Sequence, residues 1–127
     1  KLGMPADEIA TVCSAIGNHD ESTAFPVNAV AAALILADKT DVRRTRVRNR
    51  DKATFDIHDR VNYAVEKAST TLDAAGKAVV LDLQLDTGMS PVIDYFEIFL
   101  ERMLLCRKAA EKLGLSFRLV VNGQTVL

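Results

Sequence analysis

Residues 90–114, SPVIDYFEIFLERMLLCRKAAEKLG, carry the strongest periodic signal in the chain. Val92, Phe96, Phe99, Met103, Cys106, Ala110 and Leu113 recur at spacings of four and three, the repeat of one helical face. Ser90 suits an N-cap, Pro91 a first helical turn and Gly114 a stop, which predicts a helix of about 23 residues and roughly 35 Å. On its N-terminal side, Val79, Leu81, Leu83 and Leu85 alternate with Val80, Asp82, Gln84 and Asp86. That period of two predicts a strand with one dry face and one largely polar face. On its C-terminal side Phe117, Leu119 and Val121 alternate into a last strand that ends at Asn122-Gly123. A strand, a long amphipathic helix and a second strand make a helix-on-sheet layer.

Working back toward residue 54, the threonine-rich stretch 68–72 is compatible with a strand, and Asp73-Ala74-Ala75-Gly76 supplies a turn. Asp56 reads as the N-cap of a short helix through Val65, with Asp59 three residues later in a capping-box-like place. His58 and Asp59 therefore have a structural explanation at a helix start. Before residue 54 the texture changes to all-helical. Residues 6–18 predict one helix with Ile9, Val12, Cys13 and Ile16 on its apolar face. A second helix is predicted from Pro26, with Val27, Val30, Ala31, Leu34 and Ile35 buried. The expected class is α+β: a helical N-terminal part, 1–53, followed by a small α/β sandwich, 54–127, with one long helix on a short sheet.

Composition narrows the function. Sixteen basic against seventeen acidic residues leave a net charge of −1, so no global field draws the chain to nucleic acid or to an anionic membrane. Hydrophobic residues at 49% and charged residues at 26% fit a folded domain that needs no disulfide or metal merely to hold its core. The two cysteines, Cys13 and Cys106, are far apart and lie in apolar surroundings, the pattern of small buried thiols in a reducing, cytoplasmic setting. No apolar run is long enough to span a bilayer. Glycine-rich phosphate loops and a cysteine–histidine nucleophile pattern are absent. The chain starts Lys-Leu-Gly rather than with Met, a start compatible with a piece of a longer protein.

Both early apolar stripes run into polar residues. Ile9, Val12 and Ile16 are followed at plus three by His19; Val27, Ala31 and Leu34 are followed at plus four by Asp38, and then at plus three by Asp41. An ionised carboxylate on a core-facing stripe costs several kcal/mol unless it is paired or bound to a cation. Two explanations stand side by side: a divalent metal held by His19 and Asp38, or an ion pair with Lys39, Arg43 or Arg44 at a solvated helix end. Arg43, Arg44, Arg46, Arg48 and Arg50 crowd the next segment, followed by Lys52. Guanidinium groups match phosphate oxygens bidentately, but a solvated or ion-paired face explains the same run. No aromatic residues interleave with these arginines, so stacking on a nucleic-acid strand is not expected.

The run Ala15-Ile16-Gly17-Asn18-His19-Asp20-Glu21, the short polar loop with Pro26, and the alanine-rich helix ending Leu36-Ala37-Asp38-Lys39-Thr40-Asp41 resemble the C-terminal half of the HD-domain metal-dependent phosphohydrolases. The resemblance covers about residues 6 to 47. It implies an all-helical N-terminal part, with Asp38 as the final metal aspartate of that superfamily and His19 as an additional histidine found in many members. The family's first histidine and its His-Asp pair would lie upstream of residue 1. Neither His19-Asp20 nor His58-Asp59 stands at the right distance ahead of Asp38. The resemblance further implies a divalent metal cofactor and hydrolysis of a phosphorylated small molecule or nucleotide. The metal-site residues would be His19 and Asp38, with Asp20 and Asp41 behind them and Arg43, Arg44 and Arg46 toward the phosphate. On this chain alone the site would be incomplete, so a homo-oligomer or a missing N-terminal segment is the expected complement. The other expectation is a non-catalytic regulatory or dimerisation module built on a degenerate HD remnant.

Overall fold

The computed structural model describes residues 2–20, 22–42 and 44–127. Along the chain run α1 (Ala6–Gly17), α2 (Ala29–Lys39), two single 3-10 turns (Arg44–Arg46 and Lys52–Thr54), α3 (Ile57–Ala64), β1 (Val65–Asp73), β2 (Ala78–Leu85), α4 (Val92–Lys112), β3 (Ser116–Val121) and β4 (Gln124–Thr125). The four strands form one mixed sheet in the order β1-β2-β3-β4. β1 and β2 are an antiparallel hairpin, β3 runs parallel to β2, and β4 returns antiparallel to β3. Parallel neighbours cannot be joined by a tight turn, and α4 is the crossover between them.

The alternation of β2 and β3 decides which face is dry. Leu81, Leu83, Leu119 and Val121 are buried, while Asp82, Gln84 and Arg118 are exposed on the other face. α4 closes the dry face with Phe99, Met103, Cys106, Ala109 and Ala110. Its buried set is wider than one stripe and includes Tyr95, because α4 meets the sheet on one side and α2 on another. Ala32, Ile35, Leu36 and Val42 belong to the same apolar cluster as the sheet residues.

Turn chemistry sets the hairpins. The Asp73 carboxylate accepts a hydrogen bond from Gly76 N at 2.9 Å, and a Cβ on Gly76 would lie 2.3 Å from that carboxylate. At the β3–β4 turn, Asn122 and Gly123 both adopt positive φ, 50° and 80°, the demand of a tight Asn-Gly hairpin. The Asn122 amide then takes the place of a strand residue: Leu85 N donates to its Oδ1 at 2.8 Å, and its Nδ2 donates to Leu85 O at 3.2 Å.

Five expectations are corrected. The predicted apolar face of α1 is exposed: Ile16 is 56% accessible, Ile9 and Val12 are exposed too, and the buried residue of the helix is Ala15. α1 packs on α2 with its small side and leaves the larger residues outward. Cys13 shares that outward face, so the chain holds one buried thiol, Cys106, and one exposed. α2 begins at Ala29 rather than Pro26, capped by the Asn28 side chain, which accepts from Ala31 N at 2.8 Å. Its buried residues are Ala31, Ala32, Ile35, Leu36 and Lys39, whereas Val27 and Val30 are exposed and Leu34 is half-buried. Finally, α4 has no side-chain cap from Ser90; the backbone enters the helix through Pro91. Elsewhere the expected strand at 68–72 extends to Val65–Asp73, and the two-residue β4 is an addition.

Asn122→Ala removes both bonds to Leu85 and leaves a positive-φ residue without its amide, so it is expected to lower unfolding free energy by about 1–3 kcal/mol. Urea denaturation of the variant beside the parent measures this.

Candidate functional site

The C-terminal turn of α2 gathers three of the candidate residues, Asp38, Asp41 and Arg46. The buried stripe of α2 runs through Ala32, Ile35, Leu36 and Lys39. It is Lys39, not Asp38, that turns inward, one residue around the helix from the expected position. The lysine side chain is 8% exposed and the Asp38 side chain 36%. Lys39 Nζ donates to Asp38 Oδ2 at 2.6 Å, a charge-assisted bond. Burying an ammonium is costly unless a carboxylate or several acceptors meet it, and Asp38 is that partner.

Thr40 ends the helix by donating its hydroxyl to Leu36 O at 2.7 Å, and it is buried there. Asp41 follows, on the wall of an open cleft of about 400 Å³ that Leu36, Ala37 and Thr40 line with Ala68 and Thr70 of β1. Arg46 reaches back from its 3-10 turn, donating to Asp41 O at 3.0 Å and lying 3.6 Å from its carboxylate.

His19 sits just past the end of α1, half-buried. Its Nδ1 bonds to Ile16 O. A carbonyl oxygen only accepts, so Nδ1 is the donor in this bond, and Nε2 is the ring nitrogen that a metal would take in exchange for any proton it carries. α1 and α2 pack together, and the imidazole is near enough for its charge to act on Asp38. The Asp38 carboxyl is held below its ordinary value of 3.8. The Lys39 hydrogen bond is the largest cause, partly opposed by burial, with the charges of Lys39, Arg46 and His19 acting in the same direction as the bond.

The remaining expected residues are not part of this arrangement. Asp20 is exposed in the loop after α1, where its backbone carbonyl accepts from Thr23 N. Arg44 turns to another site: its guanidinium lies 4.6 Å from the centre of the Tyr63 ring, and its Nε donates to Val65 O at 3.4 Å. Arg43 lies outside the described residues. Asp56 caps α3 as expected, accepting from Asp59 N at 2.8 Å, and His58 is exposed on that helix. Among the described residues no group of three or more His, Cys, Asp and Glu side chains is placed to hold a metal ion, and no helix is long and apolar enough to cross a membrane.

One cluster was not foreseen. Tyr63 of α3 is flanked by Arg44 and Lys52, each 4.6 Å from its ring centre, and packs at 5.4 Å against Phe55. A hydrogen bond from Lys52 and the two positive charges draw the Tyr63 phenol below its ordinary value of 10.0. The arginine run hid this, because a sequence does not say which arginine will meet the tyrosine beyond the intervening loop.

Two expected outcomes follow. Asp38 is more acidic folded than unfolded, so its pairing supports the fold fully above pH 3.8 and the support fades as pH falls below that value. Asp38→Asn should flatten this part of the acid limb of a thermal-stability profile between pH 5 and 2. In an absorbance titration, Tyr63 should ionise below pH 10.0 and Tyr95, which burial pushes up, well above it; Tyr63→Phe should remove the early phase. Set beside models of known protein families, curated proteins and solved structures, the chain matches none.

Proposed function

We propose that this chain is part of an HD-type metal-dependent phosphohydrolase acting on phosphate esters or nucleotides, with His19 and Asp38 as two of its metal ligands. The observation that supports the reading is that the His19 charge acts on Asp38, while Nδ1 is engaged with Ile16 O and Nε2 is the ring's other nitrogen. These two residues fit a divalent cation in kind, one nitrogen and one carboxylate oxygen, but two donors do not fill a coordination sphere. Further ligands would come from outside the described set, on another segment or another chain. The bound ion would polarise a phosphoryl oxygen and lower the pKa of a bound water.

The chain's own groups have definite tasks in this reading. The Ile16 carbonyl fixes the histidine tautomer and ring orientation. Lys39 holds one Asp38 oxygen, Oδ2, and keeps the carboxylate ionised; Oδ1 is the oxygen that would meet a cation. Asp41 is clamped by Arg46, whose positive charge also reaches Asp38, so among the described arginines Arg46 is the one best placed to meet an anionic substrate beside the ligands. Arg44, engaged with Tyr63, is a weaker candidate for that contact. Asp20, exposed on the loop that carries His19, would act only through water or added ligands.

A second reading has its own support. Asp38 already has a charged partner at 2.6 Å, which alone accounts for a half-buried carboxylate. In that case the two helices are a scaffold, and the chain is a non-catalytic regulatory or dimerisation module.

The chain's two histidines separate the readings, because His58, exposed on α3, serves as an internal control. Under the metal reading, substoichiometric Mn²⁺ broadens the His19 ring resonances in proton NMR and spares those of His58, and Asp38→Asn removes the selectivity. In the natural full-length product, His19→Ala and Asp38→Asn should each reduce bound divalent metal and lower phosphate release at least 100-fold. Equal broadening of both histidines, with activity untouched by Asp38→Asn, would leave the scaffold reading.

A further inference from the structure

We infer that the free edge of β1 pairs with the same edge of a second copy of this chain, as antiparallel strands about a two-fold axis at Thr70. The inference is independent of the metal reading and rests on the edge itself. β1 is the outer strand of the sheet, bonded to β2 on one side and to no other strand among the described residues. An outer strand of nine residues offers a row of backbone donors and acceptors that folded proteins usually blunt with charge, proline or a bulge.

Here the blunting is confined to one end. The ladder to β2 slips between Val65 and Lys67, and Val65 O accepts from Arg44. From Ala68 to Leu72 the strand carries no charge and no proline, and Leu72 is 66% exposed. The available window is therefore 67–73.

That window is self-complementary in one register. Placing Thr70 opposite its own copy sets Lys67 against Asp73, Ala68 against Leu72 and Ser69 against Thr71, each pair occurring twice. Parity keeps the partners on shared faces: Lys67 and Asp73 lie on the face of Asp82 and Gln84, whereas Ala68 and Leu72 lie on the face of Leu83 and Val79. Sliding the centre to Ser69 sets Leu72 against Glu66 and Asp73 against Val65; sliding it to Thr71 sets Asp73 against Ser69. Opposite charges and apolar pairs directly across a strand pair are the arrangements that favour pairing. Asp73, which already meets Arg118 at 3.8 Å, would stand between two cations. The cleft at Thr40 and Asp41 opens beside Ala68 and Thr70, so the added strand would lie along its rim.

The test uses the whole chain with Cys13→Ser, which removes the exposed thiol. Sedimentation equilibrium should show a reversible monomer–dimer system at concentrations up to about 1 mM. Lys67→Asp, at an exposed position, should weaken the dimer at least tenfold by setting like charges opposite each other. Oxidation should link Thr70→Cys chains into covalent dimers, since opposed Cα atoms in such a pair are about 4.5–5.5 Å apart. Ser69→Cys alone should not link, because its own copy lies on the diagonal at about 7–8 Å, but it should link when mixed with Thr71→Cys. A monomer at every concentration, a dimer indifferent to Lys67→Asp, or linkage of Ser69→Cys to itself would each overturn the inference. If Thr70→Cys does not fold by circular dichroism, the Lys67→Asp sedimentation shift decides alone.

Discussion

Everything in this molecule is hung on α4. A parallel pair of strands needs a crossover, and the crossover must bury one side on the sheet; α4 does so with Phe99, Met103 and Cys106 over Leu81, Leu83 and Leu119. Its small residues Ala109 and Ala110 are wholly buried, and α2 lies against the same helix through its own alanine-rich side. Interiors are close-packed, so a helix held on two sides transmits its position to both neighbours. The sheet fixes α4, α4 fixes α2, and α2 fixes where Asp38 and Lys39 stand.

That chain of placement explains the electrostatics at the end of α2. Once the stripe through Ala32, Ile35 and Leu36 is committed to the core, Lys39 must follow it inward. Its ammonium is tolerable there because Asp38 is the adjacent residue and can fold its carboxylate over it. The acid is thus held ionised from its own helix, with a smaller charge effect from His19, just past the end of α1. A histidine tautomer fixed by a helix-end carbonyl is a local consequence of α1 stopping at Gly17, since the unpaired carbonyls of a last turn seek donors nearby.

The second half of the chain was legible because its signals were redundant. β2 and β3 alternate strictly, α4 repeats at helical spacing over its whole length, and Asn122-Gly123 marks a hairpin by chemistry rather than by hydrophobicity. The first half was legible only in outline. Its helices exist, but in an alanine-rich helix many positions are apolar and small, so several rotations satisfy the same pattern; contact with α4 selected the one that buries Lys39. For α1, an amphipathic stripe was visible, yet nothing in a stripe states whether a partner lies against it, and among the described residues Ile9, Val12 and Ile16 remain exposed. At the site, the two stripes that led to His19 and Asp38 were rotated from the buried faces, so Lys39 stands where the acid was expected, and the partner of each arginine depended on loop geometry that no periodicity encodes.

The mixed topology also sets an order of assembly. β1 and β2 are joined by a tight turn and can zip locally, but Leu81 finds Leu119 only after the whole of α4 has been spanned. Closing that long loop costs chain entropy before the strands repay it. The hairpin and the nascent helix would therefore form early, and docking of β3 beside β2 would be the late, rate-setting event. Until that moment the apolar sides of Leu81 and Leu83 have no neighbouring strand, which makes the half-assembled sheet the species most prone to aggregate.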